Sequence, residues 1–349
     1  MKPVRVLIVD DSSTMRHLIG FRLRSDPRIE IVGEASNAEE ARRAVNTLSP
    51  DVLTLDVEMP GKSGLEFLAE LMRLNPMPVI MISSETQKGS AAAVEALSRG
   101  AVDCVGKPRS GELSDAFKAL PALVVAASTA KVRGGAGAPT GPTASALRNF
   151  VWNNKIILIG SSTGGVDALE TIISNLPENC PPILITQHMP PGFLSSFAQR
   201  MDSRYAPKIA VAEENALVEQ GLVMIAPGGS HHLTISSGTR TKCKLVESPK
   251  VCGHRPSVDM LFNSAIPIAE RIVATLLTGM GNDGAHGILR LRKAGARCFA
   301  QDEESSVVWG MPRIAWMNGG AEKLVPLRAM APELLAATER GVSAVRRSA

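Results

Sequence analysis

Residues 155–170, KIILIGSSTGGVDALE, decide how the second half of this 349-residue chain folds. The first apolar run of this stretch is typical of a buried strand, and its last five residues begin a helical pattern. Between them, Gly160, Ser162 and Gly164 satisfy G-x-S-x-G, the pattern that presents a serine hydroxyl on a sharp strand-to-helix turn. The N–H groups that open the helix could stabilise an oxyanion or bind a phosphate. The loop alone therefore fits a hydrolase, a nucleotide site or a structural turn.

Two further strand ends favour the hydrolase interpretation. The segment ITQHMPPGF places His188 where a general base could reach Ser162, and where a dinucleotide site would need an acid. The segment LLTGMGNDGAHG places Asp283 in a glycine-rich turn, where it could cap the following helix and also orient the histidine. A serine activated by a histidine that an aspartate orients is the arrangement used in acyl transfer. The chain order Ser, His, Asp differs from that of the α/β-hydrolases, so their fold does not follow from the motif.

The composition narrows the class of protein. Hydrophobic residues at 44% and charged residues at 21% indicate a globular chain, and its length favours about two domains. The net charge of +4, without a basic tract interleaved with aromatic residues, disfavours nucleic-acid binding. Five scattered cysteines without a C-x-x-C pair fit a reducing compartment. No apolar run approaches the ~20 residues that span a bilayer, and no signal peptide is evident, so we expect a cytoplasmic protein without membrane insertion.

Two α/β patterns divide the chain. Residues 1–127 alternate five strand-like runs with amphipathic stretches, which predicts a doubly wound parallel sheet. Residues 128–150 are rich in Gly, Ala, Pro, Ser and Thr without periodicity, which is typical of a flexible linker. Residues 151–349 show a second α/β pattern, so the predicted fold is two doubly wound parallel-sheet domains. Its strand candidates are KIILIGSS, PPILITQHM, GLVMIAPGG, HHLTIS, IVATLLTGM and ARCFAQD.

Chemically active residues end the strands of the first pattern. Asp10 and Asp11 end the first strand and Asp56 the third, so a doubly wound order brings three carboxylates to one sheet edge. Clustered acids repel each other unless a cation neutralises them, and Mg²⁺ accepts such ligands. Ser83 and Lys107 end the fourth and fifth strands. A metal, a hydroxyl and an ammonium beside Asp56 make a site for placing a phosphoryl group on that carboxylate.

With these strand ends, the first domain resembles a response-regulator receiver domain. The resemblance implies that a histidine kinase phosphorylates Asp56, and that a switch acts through Ser83 and Lys107. It also implies a Mg²⁺ site, whose ligands and supporting acid would be Asp11, Asp56, the Glu58 carbonyl and Asp10. Receivers often have an aromatic switch residue three positions before the lysine. Here that position is Cys104, so the resemblance does not carry an aromatic rotamer switch over to this chain.

Five motifs follow in order behind this domain: GSSTGG, QHMPPGF, APGGSHH, HRPSVDMLF and TGMGNDGAHG. Together they resemble the catalytic domain of chemotaxis protein-glutamate methylesterases. The resemblance implies hydrolysis of glutamate γ-methyl esters, and deamidation of glutamines, on methyl-accepting chemoreceptors, without a cofactor in this domain. Ser162 would be the nucleophile, His188 the general base and acid, and Asp283 its orienting residue. We place the oxyanion and substrate site at Thr163, Gly164 and Met280.

A receiver tethered to an esterase suggests that the unphosphorylated receiver covers the catalytic cleft and that phosphorylation uncovers it. Two alternatives remain open: the same triad acting on another ester, and a response regulator whose output domain binds a partner or nucleic acid. The second would be favoured by a helix-turn-helix tail, whereas the last twenty residues look like one helix with a basic end. The histidines His231, His232 and His254 lack metal-ligand spacing. We expect a monomer.

Overall fold

The computed structural model describes residues 2–84, 86–108, 117–132, 150–236, 238 and 240–340. Most of the predicted linker, residues 133–149, and the basic C-terminal residues 341–349 therefore lie outside the described residues. The boundaries near residues 127 and 151 stay predictions. In the part of the chain that is described, no helix is long and apolar enough to cross a bilayer.

The first domain is a five-stranded parallel sheet with helices on both faces. Its elements are β1 Val4–Val9, α1 Ser13–Leu23, β2 Ile29–Ala35, α2 Ala38–Leu48, β3 Val52–Asp56, α3 Gly64–Leu74, β4 Val79–Ser83, α4 Gln87–Ser98, β5 Asp103–Gly106 and α5 Leu120–Ala127. The strand order β2-β1-β3-β4-β5 is a doubly wound order, with every pair parallel. It brings the carboxyl ends of β1, β3, β4 and β5 to one edge, as the sequence pattern predicts.

Local sequence signals set the helix starts of this domain. The side chains of Ser12, Asn37, Ser63 and Thr86 each accept a backbone N–H at the first turn of α1 to α4. At α3 the cap is reciprocal, because the Glu66 side chain also accepts the Ser63 N–H. These caps fix the turns between the strands and the helices that follow them, at the sheet edge where the predicted site residues lie.

The second domain is a seven-stranded parallel sheet. Its elements are β6 Ile156–Ser161, α6 Gly165–Ile173, β7 Ile183–Gln187, α7 Pro191–Arg204, β8 Lys208–Val211, β9 Leu222–Ile225, β10 His231–Ser236, β11 Lys242–Glu247, α8 Val258–Ser264, a 3₁₀ helix Ile266–Arg271, β12 Ile272–Leu276, α9 Ala285–Lys293, β13 Arg297–Gln301, α10 Met311–Met317, β14 Lys323–Val325 and α11 Leu327–Thr338. The sheet order is β14-β13-β12-β6-β7-β9-β8, and β10 and β11 form a separate antiparallel hairpin.

The six strands expected from the sequence are present, but the HHLTIS strand belongs to the hairpin and not to the main sheet. Three further strands, β8, β11 and β14, were not anticipated. In the main sheet β6 lies between β7 and β12. The ends of these three central strands carry the glycine–serine turn and the two motifs predicted to complete the triad.

The two domains share an apolar interface. Helix α4 of the first domain packs against α7 and α6 of the second. Buried side chains of α4, such as Val94 and Leu97, belong to the same core cluster as Phe193 and Phe197 of α7. A polar contact lies beside it, where the Ser98 hydroxyl donates to Glu170 Oε2 at 2.8 Å. The first domain is therefore held over the face of the second that carries α6 and α7.

Candidate active site

The glycine–serine turn joins β6 to α6, and its backbone leaves no room for side chains at two glycines. A Cβ at Gly160 would lie 2.3 Å from Val258 Cγ1. Gly164 has φ of 75°, and a Cβ there would lie 2.5 Å from Val307 Cβ. Both glycines are thus required by close packing, and Gly164 also by its left-handed backbone. Between them Ser162 is 9% exposed, and its hydroxyl makes no hydrogen bond to any residue that the structure describes.

Buried side chains fix the backbone of this turn. The Gln187 side-chain amide donates to the Ser162 carbonyl at 2.9 Å, and Gln187 Oε1 accepts the Ser161 hydroxyl at 2.6 Å. The Thr278 hydroxyl donates to the Thr163 carbonyl at 2.9 Å. Sequence reasoning missed Gln187 and Thr278. The signal for Gln187 was a polar residue that ends a fully buried strand next to the candidate histidine.

His188 follows β7 and contacts Asp283, as the motif order suggested. His188 Nε2 lies 2.8 Å from Asp283 Oδ2, and the two side chains are 5% and 1% exposed. Because a carboxylate only accepts, Nε2 carries the hydrogen and donates it. His188 Nδ1 is buried without a hydrogen-bond partner among the described residues. The ring therefore presents a free basic nitrogen at the site that also holds the Ser162 turn.

Asp283 is fixed by four hydrogen bonds. Besides His188, it accepts the Ser257 hydroxyl at 2.8 Å and the backbone N–H groups of Val258 and Asp259 at 2.7 and 3.1 Å. Burial raises the pKa of Asp283, but the hydrogen bond and charge of His188, with the two N–H groups, hold it below the usual value. The capping expectation needs correction: Asp283 accepts hydrogen bonds from the N-terminus of α8, whereas α9 begins at Ala285, after the N-cap residue Gly284, without a side-chain cap. Both carboxylate oxygens are engaged by His188 and the start of α8.

His254 stacks on His188. The two ring centroids are 3.8 Å apart and the planes differ by 2°. Burial, together with the charge of His188, lowers the pKa of His254 to about 4. His232 has a separate role, because its Nδ1 accepts the Ser257 N–H at 3.1 Å and its Nε2 lies 3.1 Å from the Pro249 carbonyl oxygen. His231 lies on the hairpin surface, with Nδ1 2.9 Å from the Ser230 hydroxyl.

The backbone around the serine offers two N–H groups that have no acceptor in the described part of the chain. Neither Thr163 nor Met280 donates its backbone N–H to any residue within the described ranges. Gly279 passes so close that a Cβ there would lie 2.7 Å from Ser162 Cβ. The loop that carries Met280 is held in place by the Gly310 N–H, which donates to the Gly279 carbonyl at 3.1 Å.

The first domain reaches into this loop with two acceptors. Asp103 Oδ2 accepts the Thr163 hydroxyl at 2.5 Å, and the Val102 carbonyl accepts the Gly164 N–H at 3.1 Å. Burial raises the pKa of Asp103 to about 6, although the bonds from Thr163 and from the Cys104 N–H oppose the shift. Sequence reasoning did not single out Asp103. No local pattern could have found it, because its partner lies 60 residues away.

At the edge of the first sheet, the structure brings together the predicted acids. Ligand oxygens of Asp10, Asp11 and Asp56 lie within 4.8 Å of one another. Lys107 Nζ lies 3.1 Å from Asp10 Oδ2 and 2.8 Å from Asp56 Oδ2. Beyond these ion pairs, the two oxygens have no hydrogen-bond donor in the described part of the chain. Buried oxygens with spare lone pairs fit a hard divalent cation.

The pKa values of Asp10 and Asp56 are raised because Lys107 only partly offsets the cost of burying these two carboxylates. Burial raises the pKa of Asp56 to about 6, and the nearby charge of Asp10 adds to the rise, while Lys107 opposes it. Burial also raises the pKa of Asp10, against the effect of Lys107. For Lys107, burial lowers the pKa, but the bond and charge of Asp56 and Asp10 outweigh it and raise the value. One ammonium is shared between two buried carboxylates.

The remaining predicted residues of this edge lie around the cluster. The Ser83 hydroxyl donates to the Gly89 carbonyl at 2.9 Å, in the first turn of α4. Glu58 is exposed, and its N–H donates to Asp56 Oδ1 at 3.3 Å. Cys104, at the position where an aromatic residue is common, is 6% exposed. Ser83 thus connects the acidic cluster to the helix that packs on the second domain.

Comparison with known proteins agrees with this architecture. The protein-family model described as CheB methylesterase matches residues 157–334 of this sequence. The family model of the response regulator receiver domain matches residues 6–118. Protein-glutamate methylesterase/protein-glutamine glutaminase 1 of Caulobacter vibrioides is 48% identical over 96% of this chain and 98% of that protein. A protein of the same description from Rhizobium johnstonii is 48% identical over 96% and 97%.

A solved structure extends the comparison to three dimensions. The crystal structure of the Thermotoga maritima CheB methylesterase catalytic domain matches with a TM-score of 0.51 and 39% identity. The match covers 52% of this chain and 97% of that domain. With a receiver domain ahead of the serine–histidine–aspartate domain, and with full-length relatives in the same arrangement, this chain belongs to the CheB methylesterase family.

Proposed function

We propose that this protein is a phosphorylation-controlled serine hydrolase that removes methyl groups from glutamate γ-methyl esters of methyl-accepting chemoreceptors and deamidates glutamines there. The relatives described above carry both activities in their names. The observation that carries the proposal is the buried His188, which bonds Asp283 through one nitrogen and keeps the other without a partner, among the described residues, beside the Ser162 turn.

The site residues would act in a fixed order. His188 Nδ1 takes the proton of the Ser162 hydroxyl as its oxygen attacks the γ-carbonyl carbon. The N–H groups of Thr163 and Met280 bind the oxyanion, and Asp283 stabilises the imidazolium. His188 then gives its proton to the leaving group, methanol from an ester or ammonia from an amide. Water, activated by the same nitrogen, attacks the acyl-enzyme and releases the glutamate carboxylate from Ser162.

Methanol release from methylated chemoreceptor tests the proposal. We expect Ser162→Ala to lower turnover by about 10⁶, as loss of the nucleophile does in other triads. Ser174→Ala, at the end of α6, is the matched control and should release methanol at the wild-type rate. Release by Ser162→Ala at the wild-type rate would contradict the triad. A folded wild type without any release would contradict the substrate and favour another ester or a binding output.

The acidic cluster of the first domain would serve as the phosphorylation site, with Asp56 as acceptor and a chemotaxis histidine kinase as donor. Mg²⁺ would be held by Asp11, Asp56 and the Glu58 carbonyl, with Asp10 in support, and would neutralise phosphoryl oxygens during transfer. Lys107 would hold the phosphoryl group by its charge, and the Ser83 hydroxyl would turn from Gly89 to a phosphoryl oxygen. The buried Oδ2 atoms of Asp10 and Asp56, which share the Lys107 ammonium and have no other donor among the described residues, support this cation site.

The contacts between the domains support an inhibitory role for the unphosphorylated first domain. Asp103 and Val102 occupy the Thr163 hydroxyl and the Gly164 N–H, which are donors of the proposed substrate loop. The Asp103 side chain carries the same group as the reaction product, a carboxylate. Helix α4 covers the same face by packing on α6 and α7. A receptor helix could not reach Ser162 while these contacts persist.

Phosphorylation has a short structural route to this interface. Ser83 ends β4 at the sheet edge of the proposed phosphorylation site, and its hydroxyl donates to the Gly89 carbonyl in the first turn of α4. If the Ser83 hydroxyl turns to the phosphoryl group, the Gly89 carbonyl loses this hydrogen bond. The loss occurs in the first turn of α4, the helix that packs on the second domain. Asp103 starts the neighbouring strand β5, which pairs with β4 along Ile80–Asp103 to Ser83–Gly106. A shift of this edge would withdraw the carboxylate from Thr163.

Removal of residues 1–140 tests this control. We expect the remaining catalytic part to release methanol without a phosphodonor faster than the unphosphorylated full chain. The full chain with a small phosphodonor and Mg²⁺ should approach the same rate. Truncated protein that is no faster than the unphosphorylated full chain would contradict occlusion. The Ser162→Ala version of the truncated protein controls for unspecific release.

A further inference from the structure

One segment, residues 251–259, holds both partners of the catalytic histidine, and we call it the histidine clamp. At its end, the Ser257 hydroxyl and two N–H groups bond Asp283. At its beginning, His254 stacks on His188. The clamp thus contacts the aspartate that bonds His188 Nε2 and also one whole face of the His188 ring. The second contact has no role in the acyl-transfer steps proposed above.

His254 is rigidly mounted. Its backbone pairs with Val251 through two hydrogen bonds of 3.0 and 2.9 Å, around a turn in which Cys252 and Gly253 have φ of 51° and 82°. The next residue, Arg255, donates its guanidinium N–H groups to the carbonyls of Gly229 at 2.6 Å and Ser248 at 2.8 Å. A ring carried on backbone fixed from both sides can restrain the ring on which it stacks.

His188 needs such a restraint. The second side-chain torsion of histidine is broad, so the ring tilts easily about its Cβ–Cγ bond. The bond from Nε2 to Asp283 fixes one corner of the ring, whereas Nδ1 has no partner in the described residues. A parallel ring at 3.8 Å stops the tilt toward its own side, because closer approach would bring the rings into overlap. The direction of Nδ1 therefore depends on His254.

We propose that His254 is a positioning residue of this active site, whose flat ring holds the His188 ring in the plane from which Nδ1 reaches Ser162. This inference rests on the proposed hydrolase function and adds a fourth side chain to it. A displacement of reacting groups by about 1 Å can cost about 100-fold in rate, which sets the scale of the expected effect.

The charge state of the clamp fits this role. With a pKa of about 4, His254 stays uncharged at neutral pH. Burial is the main cause, the charges of His188 and Lys250 add to it, and Asp283 opposes it. When His188 becomes an imidazolium during the reaction, the stacked ring adds no second positive charge beside it. A planar, uncharged side chain is what the position requires.

Three substitutions separate positioning from space filling. In the phosphorylated full chain, we expect His254→Phe to keep kcat for methanol release within about threefold, because it retains a flat ring. His254→Leu and His254→Ala should each lower kcat by about 10- to 100-fold, with KM within about twofold of wild type. Rescue by Phe but not by Leu is the expected signature. If Leu equals Phe, or if all three variants match the wild type, His254 does not position His188.

A second readout keeps the inference separate from the proposed substrate. Fluorophosphonates react with serines that a histidine activates, whatever ester the enzyme uses. We expect phosphonylation at Ser162 to slow by the same factor in His254→Leu and to stay near wild type in His254→Phe. A wild type that is labelled at Ser162 but releases no methanol contradicts the substrate, and the labelling rates then decide the role of His254. Equal labelling of the Leu and Phe variants contradicts that role.

Discussion

Asp56 and Asp283 are both buried aspartates at the carboxyl edge of a parallel sheet, each 1% exposed, yet their surroundings are opposite. Asp283 accepts four hydrogen bonds, which hold its pKa below the usual value. Asp56 shares one lysine with Asp10, and burial raises its pKa to about 6. The first carboxylate is fully compensated and keeps its position and charge. The second is left with free lone pairs, which is the condition for taking up a cation or a phosphoryl group.

Exchanging each aspartate for asparagine should separate the two roles most strongly. We expect Asp283→Asn to lower kcat for methanol release by about 10⁴ at neutral pH, with or without a phosphodonor, because the amide neither fixes the histidine tautomer nor stabilises its charge. Asp56→Asn should keep the unphosphorylated rate and lose only the increase caused by phosphodonor. Similar losses of kcat in both variants would contradict the different roles proposed for Asp283 and Asp56. Thermal unfolding of each variant checks that the domain carrying the substitution remains folded.

Removing the shared lysine should destabilise the first domain. Lys107→Met leaves Asp10 and Asp56 as buried acids without a counter-charge, and loss of one partner of a buried pair costs about 3–5 kcal/mol. Urea unfolding in EDTA measures this change in the free energy of unfolding, and Mg²⁺ should recover part of it. Lys118→Met, at an exposed position of the same domain, is the control. A variant as stable as the control would show that the cluster is already compensated.

Weakening the contact between the domains should raise the basal rate. Asp103→Asn keeps the size of the side chain but loses the charged hydrogen bond to Thr163, which is worth about 1.5 kcal/mol, or about tenfold in the open fraction. Methanol release by the unphosphorylated full chain measures the effect. Glu95→Gln, at a partly exposed position of α4, is the control. An unchanged basal rate in Asp103→Asn would show that this carboxylate does not hold the domains together.

The pH dependence of stability should have opposite signs at the two aspartates. The fold raises the pKa of Asp56, so protonation of Asp56 stabilises the folded state. This stabilisation is fully present below the unfolded pKa of about 4 and is lost as pH rises through about 6. Because the pKa of Asp283 is lowered, its contribution is present above about 4 and is lost as pH falls below that value.

Thermal unfolding in EDTA between pH 5 and 7.5 tests the Asp56 part. Relative to Asp56→Asn, the wild-type midpoint should fall by a few degrees as pH rises, since about 1 kcal/mol shifts a midpoint by several degrees. Mg²⁺ should remove the difference by neutralising the carboxylate. Parallel curves for wild type and variant in EDTA would contradict the raised pKa.

Local patterns located most strands of the two sheets and placed the predicted site residues along them. Apolar periodicity predicts most strands, and the carboxyl ends of the strands in a parallel sheet all lie at one edge. This rule brought Asp10, Asp56 and Lys107 together, and it placed His188 next to the Ser162 turn. Strands β8 and β14 escaped the pattern because they have only four and three residues, some of them exposed.

The way in which the reactive groups face one another depends on the packed fold. Which nitrogen of His188 bonds Asp283, and which helix Asp283 caps, follow from side-chain orientation, which periodicity does not encode. The stacking of His254 on His188 and the contact of Asp103 with Thr163 join residues 66 and 60 positions apart along the chain. Such pairs form only when separate elements pack, because local sequence sets burial and turns, whereas long-range packing sets geometry and charge compensation.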